Sequence, residues 1–193
     1  MGATWLSLLP RHAVLRRVWR RRAVSARPYN VLFLCTGNSA RSILAESLLN
    51  HWSKGKFVAF SAGSYPRGAV NPLAVQLLDR LNLPTQGLRS KSWDEFAVAS
   101  APKLDFVFTV CDKAGNEICP IWPGQPMTAH WGLEDPAAIL GNELQKSLAF
   151  RRAFNSLENR IKLFTALPIA SLEPIRLQQR LESIGQARTD DNP

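Results

Sequence analysis

Apolar runs alternate with amphipathic stretches along most of this chain, and this alternation limits the folds that it can adopt. Buried strands are predicted at 30–34, 57–62, 105–110 and 127–131. Helices are predicted over 40–54, 71–81, 92–99, 142–165 and 172–184. Strands that alternate with helices form βαβ units, in which helices cover a parallel sheet. The sequence therefore predicts an α/β fold without a second domain.

The two ends of the chain differ in composition from its middle. Residues 1–28 contain seven arginines and no acidic residue; without them, 17 basic residues stand against 15 acidic ones, a net charge of +2 instead of +9. Because the chain after residue 28 is nearly neutral, its charge argues against nucleic-acid binding. We interpret residues 1–28 as a disordered basic extension or a leader read from an upstream start codon. Residues 29–185 are the predicted domain, and residues 186–193 a polar tail.

Hydropathy and cysteine content favour a cytoplasmic location. No stretch approaches the roughly 18 consecutive apolar residues of a membrane-spanning helix, so no membrane association is predicted. The three cysteines, an odd number, indicate thiol chemistry in a reducing compartment rather than a disulfide framework. The alternative is an organelle, because residues 1–28 also have the arginine-rich, acid-free composition of a mitochondrial transit peptide.

The first predicted strand leads into a loop that can bind a tetrahedral oxyanion. A backbone that turns between a strand and a helix N-terminus points several N–H groups at one spot, and the helix dipole adds partial positive charge. We expect Gly37 to adopt a positive φ, Asn38 to brace the turn and Arg41 to grip two anion oxygens. The predicted oxyanion-binding residues are Thr36, Gly37, Asn38, Ser39, Ala40, Arg41 and Ser42.

Cys35, at the start of this loop, is the predicted nucleophile. The positive field of the loop should lower its pKa, so that much of it is thiolate at neutral pH, and Ser42 can donate a hydrogen bond to the sulfur. Asp135, which a proline follows, is a candidate general acid for an oxygen that leaves the attacked anion. Glu134 is the competing choice for this role, and the sequence separates the two poorly.

Three segments together resemble the arsenate reductases built on the low-molecular-weight tyrosine phosphatase fold. They read Val-Leu-Phe-Leu-Cys-Thr-Gly-Asn-Ser-Ala-Arg-Ser at 31–42, Phe-Ser-Ala-Gly at 60–63 and His-Trp-Gly-Leu-Glu-Asp-Pro at 130–136. The resemblance implies a single-domain, four-stranded parallel sheet flanked by helices, of flavodoxin-like type. It also implies that Cys35 is the nucleophile, Arg41 the anion clamp and Asp135 the general acid.

The other two cysteines bear on whether such a chain reduces arsenate or hydrolyses phosphate esters. Cys111 follows the third predicted strand, and Cys119 follows after seven residues that suit a loop able to rearrange. The resemblance implies a cascade that reduces arsenate to arsenite, in arsenic detoxification. In it, Cys111 attacks Cys35 and Cys119 then attacks Cys111. An external thiol, either thioredoxin or glutaredoxin with glutathione, reduces the final disulfide.

Small residues at two places favour reduction over hydrolysis. The phosphatase branch usually has a second cysteine inside the loop, where Ala40 stands here, and aromatic residues after the Asp-Pro pair, where Ala137 and Ala138 stand. Without those aromatic rings the pocket should favour a small bare oxyanion. Two alternatives remain open: a low-molecular-weight protein tyrosine phosphatase with the same nucleophile, clamp and acid, and an oxyanion-binding or redox-sensing module.

No bound cofactor or metal ion is predicted, and the chain is expected to be a monomer. The three histidines have no spacing recognisable as a metal site. Some thioredoxin-coupled relatives bind potassium beside the loop through residues that resemble Asn38, Glu46 and Ser61, and through an aspartate that Lys91 replaces here. A lysine ammonium at that position could pair with Glu46, which predicts no potassium requirement. The alternative is that Lys91 is ordinary solvated surface.

Overall fold

The computed structural model describes residues 27–116 and 120–187, and a parallel β-sheet lies at its centre. The strands are β1 (Tyr29–Cys35), β2 (Phe57–Gly63), β3 (Phe106–Thr109) and β4 (Met127–His130). They lie in the order β2-β1-β3-β4, and every neighbouring pair is parallel. The prediction of a four-stranded parallel sheet of flavodoxin-like type is confirmed.

Helices flank this sheet throughout the described part of the chain. They are α1 (Arg41–Trp52), α2 (Pro72–Arg80), α3 (Asp112–Asn116), α4 (Glu143–Thr165) and α5 (Pro174–Gly185). Short 3-10 turns lie at Trp93–Phe96, Pro136–Ala138 and Ile169–Ser171. None of the helices in the two described ranges is both long and apolar enough to cross a membrane.

Local hydrogen bonds explain where the predicted helices do and do not form. α2 begins as predicted. Asn71 Oδ1 accepts a hydrogen bond from the N–H of Leu73 at 2.9 Å, and Pro72 occupies the first helical position. The helix predicted over 92–99 is wrong. That helix was predicted because Ser92 and Glu95 have the spacing of a capping box. In the structure Ser92 Oγ accepts from the N–H of Asp94, and the carboxylate of Glu95 pairs with Arg89 instead. Only one 3-10 turn results.

Apolar side chains cover both faces of the sheet. Along β1, Val31 and Phe33 belong to the larger core cluster, which also contains side chains from α1, α4 and α5. Leu32 and Leu34 belong to a smaller cluster on the other face, together with Trp122. Because β1 is buried on both faces, its sequence is a continuous apolar run rather than an alternating one.

The carboxyl edge of the sheet brings the predicted functional segments together. β1 ends at Cys35, β3 ends two residues before Cys111, and β4 ends five residues before Asp135. β1 lies between β2 and β3, so the connection that follows β1 and the connection that follows β2 lead to opposite sides of β1. Such a point opens the crevice in which parallel α/β sheets bind ligands. The candidate site lies in this crevice.

Candidate active site

Cys35 begins the loop between β1 and α1, and its side chain is buried. The N–H of Asn38 donates to Cys35 Sγ at 3.2 Å, and the hydroxyl of Ser42 lies 3.0 Å from the same sulfur. The positive φ predicted at Gly37 is wrong, because the left-handed turn falls at Asn38, with φ 40°. Gly37 instead lies against Arg67, whose Nε would be 3.3 Å from a Cβ added there.

A buried hydrogen-bonded network supports the loop from below. Asn38 Nδ2 donates to Ser42 Oγ at 2.9 Å and to Ser61 Oγ at 2.8 Å. Ser61 Oγ donates to Glu46 Oε2 at 2.5 Å, and Asn38 Oδ1 accepts from the N–H of Lys91 at 2.8 Å. Satisfied polar networks of this kind hold a single geometry, because each buried group depends on its partners. The network therefore fixes the turn at Asn38.

Lys91 is a buried cation in this network. Its Nζ lies 3.5 Å from Glu46 Oε2 and 3.3 Å from the carbonyl oxygen of Arg89. Burial lowers the pKa of Lys91 and raises the pKa of Glu46, while their opposite charges act against both shifts. The ion pair predicted between these residues is present. The alternative of Lys91 as solvated surface is wrong, since its side chain is only 5% exposed.

Arg41 joins the loop to the segment that follows β4. Its Nη1 donates to the carbonyl oxygen of Leu133 at 2.7 Å, and its Nη2 lies 3.3 Å from Asp135 Oδ2. Glu134, the competing candidate for the general acid, lines the same cavity but forms no ion pair within residues 27–116 and 120–187. Asp135 is therefore the carboxylate of the two that contacts Arg41.

Burial raises the pKa of the Cys35 thiol above its ordinary value, and the nearby Cys111 raises it further. The hydrogen bond from Ser42 and the charge of Arg41 lower this pKa but do not outweigh burial. Burial of Cys35 therefore acts against the thiolate that the field of the loop was expected to favour. Its sulfur is removed from water, and Asp135 partly neutralises the cation expected to stabilise the thiolate.

Cys111 lies just beyond β3 and is 2% exposed. Its Sγ is 3.6 Å from Thr36 Oγ1 and accepts the N–H of Ala114 at 3.4 Å. The loop predicted after Cys111 begins instead as the short helix α3, and this helix supplies that N–H. Cys119 lies outside the described residues.

One cavity of about 380 Å³ contains most of the predicted site. Cys35, Arg41, Cys111 and Asp135 all line it. The other predicted residues that line it are Thr36, Gly37, Ser39 and Ala40. Those that lie in the supporting network beneath are Asn38, Ser42, Glu46, Ser61 and Lys91. The arrangement places two thiols, a guanidinium and a carboxylate around one space large enough for a tetrahedral oxyanion.

The loop after β2 supplies two lining residues that the sequence analysis missed, Tyr65 and Arg67. Their N–H groups donate to the carbonyl oxygens of Thr36 and Gly37 at 2.9 and 3.0 Å. Gly63, at the end of β2, permits this approach, because a Cβ there would collide with the carbonyl oxygen of Thr36. Glycine directly after an apolar run was the one available signal of close backbone approach.

Cys35 and Arg41 lie on one strand–loop–helix unit, and a carboxylate lies across the cavity from them. This combination is typical of enzymes in which a cysteine attacks a tetrahedral oxyanion. Within residues 27–116 and 120–187, no group of three or more His, Cys, Asp or Glu side chains is placed to hold a metal ion. The chain belongs to the low molecular weight phosphotyrosine protein phosphatase family, whose model matches residues 30–174.

Several members of this fold are arsenate reductases. The chain is 32% identical over 134 residues to an arsenate reductase of Shouchella clausii, covering 69% of this chain and 93% of that protein. The crystal structure of an arsenate reductase from Archaeoglobus fulgidus matches with a TM-score of 0.56 at 28% identity, covering 71% of this chain and 99% of that one. A thioredoxin-dependent arsenate reductase of Corynebacterium glutamicum shares the fold, with a TM-score of 0.55 at 22% identity, over 77% of this chain and 66% of that one.

Proposed function

We propose that this chain reduces arsenate to arsenite with its own cysteines as the source of the two electrons. The observation that carries the proposal is the position of Cys111, which lines the same cavity as Cys35. A phosphatase regenerates its nucleophile with water and needs one thiol. Reduction needs a second thiol that can attack the first. The relatives that are arsenate reductases support the same function.

The first proposed step is attack by the Cys35 thiolate on arsenate held by Arg41 and the N–H groups of the loop. An As–S bond forms and an As–O bond breaks. The oxygen leaves as water, with a proton from Asp135. Arsenic remains As(V) in this step, so no electrons are transferred.

The electrons are transferred when the Cys111 thiolate attacks Cys35 Sγ. An S–S bond forms as the As–S bond breaks, and the electron pair of that bond goes to arsenic, which leaves as arsenite. Cys119 then attacks the sulfur of Cys111, which gives a Cys111–Cys119 disulfide and releases the Cys35 thiolate. An external dithiol restores the two thiols. We propose thioredoxin for this role, with glutaredoxin and glutathione as the alternative.

Three cysteine variants test the cascade. Cys35→Ser should abolish arsenate turnover, and Cys111→Ser should stop reduction while leaving oxyanion binding intact. Cys119→Ser should permit about one turnover per molecule with thioredoxin, because without the Cys119 thiol the Cys35–Cys111 disulfide cannot be exchanged for a Cys111–Cys119 disulfide. The assays are arsenate-dependent NADPH oxidation with thioredoxin and its reductase, and mass mapping of the disulfide after one turnover. Sustained thioredoxin-driven turnover by Cys119→Ser would refute the cascade.

Hydrolysis of phosphate monoesters is the second candidate function, because the groups it needs are in the same cavity: Cys35, Arg41 and Asp135. An aryl phosphate separates the two activities when Cys111→Ser is the matched control. Hydrolysis should survive in that variant, whereas arsenate reduction should not. If the wild type hydrolyses the aryl phosphate and shows no arsenate-dependent NADPH oxidation, the phosphatase is the function.

We further propose that residues 29–185 act as a monomer in the cytoplasm without a potassium ion. The support for the last point is the Lys91 ammonium, which already lies 3.5 Å from the Glu46 carboxylate. Arsenate affinity should be equal in potassium and sodium salts at the same ionic strength. A gain specific to potassium would contradict this proposal.

A further inference from the structure

We infer that Arg160, which does not line the active-site cavity, is a positioning residue for Asp135. Arg160 lies on α4 and is 7% exposed. Its Nη1 donates to the carbonyl oxygen of Trp131 at 2.7 Å and to that of Gly132 at 3.2 Å. These carbonyls belong to the segment that joins β4 to Asp135. The inference rests on the proposed role of Asp135 as the general acid.

Two arginines donate to successive carbonyls of this joining segment. Arg160 takes the carbonyls of residues 131 and 132, and Arg41 Nη1 takes the next one, that of Leu133, at 2.7 Å. Asp135 follows two residues later, with its Oδ2 3.3 Å from Arg41 Nη2. Without Arg160, the segment would be held at Trp131, whose indole N–H donates to the carbonyl oxygen of Leu181, and at Arg41, with no side-chain donor to the carbonyls between them. The carboxylate would then sample positions from which it cannot reach the leaving oxygen.

The charge of Arg160 is unfavourable where it lies. Burial lowers the pKa of Arg160, no carboxylate in the described part of the chain forms an ion pair with it, and its Nε lacks a hydrogen-bond partner there. A buried cation without a counter-ion is often less stabilising than an apolar side chain of similar volume. Leucine or methionine would avoid this cost but would leave the two carbonyls without the arginine donor. The arginine supplies what those residues lack, a rigid donor aimed at two backbone carbonyls.

A double-mutant cycle on turnover tests the inference. Arg160→Met should lower the turnover rate about tenfold, because a general acid contributes about 10²–10⁴ and a displaced acid forfeits part of that. In the Asp135→Asn background the same substitution should change the rate less than about twofold, because no acid remains to be positioned. The inhibition constant of phosphate should not rise more than about twofold in Arg160→Met, because the loop that binds phosphate is untouched.

The matched control is Arg151→Met, which makes the same substitution at an exposed position of α4. It should leave the rates unchanged in both backgrounds. Equal losses for Arg160→Met in both backgrounds, or a parallel loss of phosphate affinity, would show a general structural role and overturn the inference. Turnover is measured with arsenate, or with an aryl phosphate if the wild type accepts only that. The cycle therefore remains decisive even if the proposed reductase function fails.

If circular dichroism shows that Arg160→Met does not fold, Arg160→Lys takes its place. It keeps the positive charge but replaces the planar guanidinium with a single ammonium group. The same cycle applies: a loss confined to the Asp135 background supports positioning, and a loss of equal size in Asp135→Asn overturns it.

Discussion

The ion pair between Arg41 and Asp135 should compete with an oxyanion for Arg41, so removing the pair should tighten oxyanion binding. Asp135 Oδ2 lies 3.3 Å from Arg41 Nη2. An oxyanion that binds the same guanidinium must displace this carboxylate, and its net binding free energy is reduced accordingly. Asp135→Asn removes the charge and keeps the shape of the side chain. It is therefore the perturbation of choice.

The expected gain follows from the burial of the pair. The Arg41 side chain is 12% exposed and that of Asp135 is 32% exposed. Exposed ion pairs contribute about 0.2–1 kcal/mol, and breaking a fully buried one costs about 3–5 kcal/mol. For a pair between these limits, about 1.4 kcal/mol is reasonable, which corresponds to about tenfold in affinity. Loss of the direct repulsion between Asp135 and the oxyanion acts in the same direction.

Isothermal titration calorimetry with phosphate at a fixed pH measures this gain, and Asp112→Asn is the matched control. Asp112 lines the same cavity but pairs with His130, at 3.1 Å, instead of Arg41. The control removes one negative charge without freeing Arg41, and it should change the affinity less than about twofold. Unchanged affinity in Asp135→Asn would mean that the pair does not compete. An equal gain in both variants would mean that net charge alone matters, and either result would refute the reasoning.

Three positions around the oxyanion loop should also be sensitive to substitution. Ser42→Ala should raise the pH midpoint of Cys35 alkylation by iodoacetamide, because the hydrogen bond from Ser42 lowers the pKa of Cys35; an unchanged midpoint would exclude that effect. Lys91→Met should lower the free energy of unfolding in urea by about 3 kcal/mol, because it leaves the buried Glu46 carboxylate without its counter-ion. Adding Glu46→Gln should restore most of that loss, and no restoration would argue against the pair. Gly63→Ala should weaken phosphate binding at least about tenfold by calorimetry, because the new Cβ displaces the loop backbone; wild-type affinity would contradict the close approach.

Elements of the fold could be predicted where the sequence pattern that determines them lies within a single segment. β1 is buried on both faces and is accordingly a continuous apolar run, and the Asn-Pro pair at residues 71–72 marks the start of α2. The stretch 92–99 misled because Ser92, with Glu95 three residues later, matches a capping box. Only Phe96 is buried there, whereas Val98 is 49% exposed, so packing supports one turn and no more. Tertiary contacts, which a local pattern does not contain, decided that element.

The chemistry of the site could be predicted where its residues are close in sequence. Cys35 and Arg41 lie on one loop, and the carboxyl ends of parallel strands meet at one edge, which placed Cys111 and Asp135 there too. The pairing of Arg41 with Asp135, and the support from Arg160, depend on where a loop and a distant helix pack. The depth at which Cys35 is buried is likewise a property of the assembled core. That is why the sequence did not reveal that burial opposes the Cys35 thiolate.

The pair between Arg41 and Asp135 links two properties of the site, the raised pKa of Cys35 and the position of the general acid. The charge of Arg41 lowers the pKa of Cys35 only weakly beside the effect of burial, and it does so while paired with a carboxylate. Asp135→Asn leaves that charge uncompensated, so it should lower the pH midpoint of Cys35 alkylation as well as tighten phosphate binding. Asp112→Asn should shift the midpoint less, because it leaves the pair intact. If phosphate binding tightens while the alkylation midpoint stays fixed, burial alone controls the thiol, and Arg41 serves only the anion.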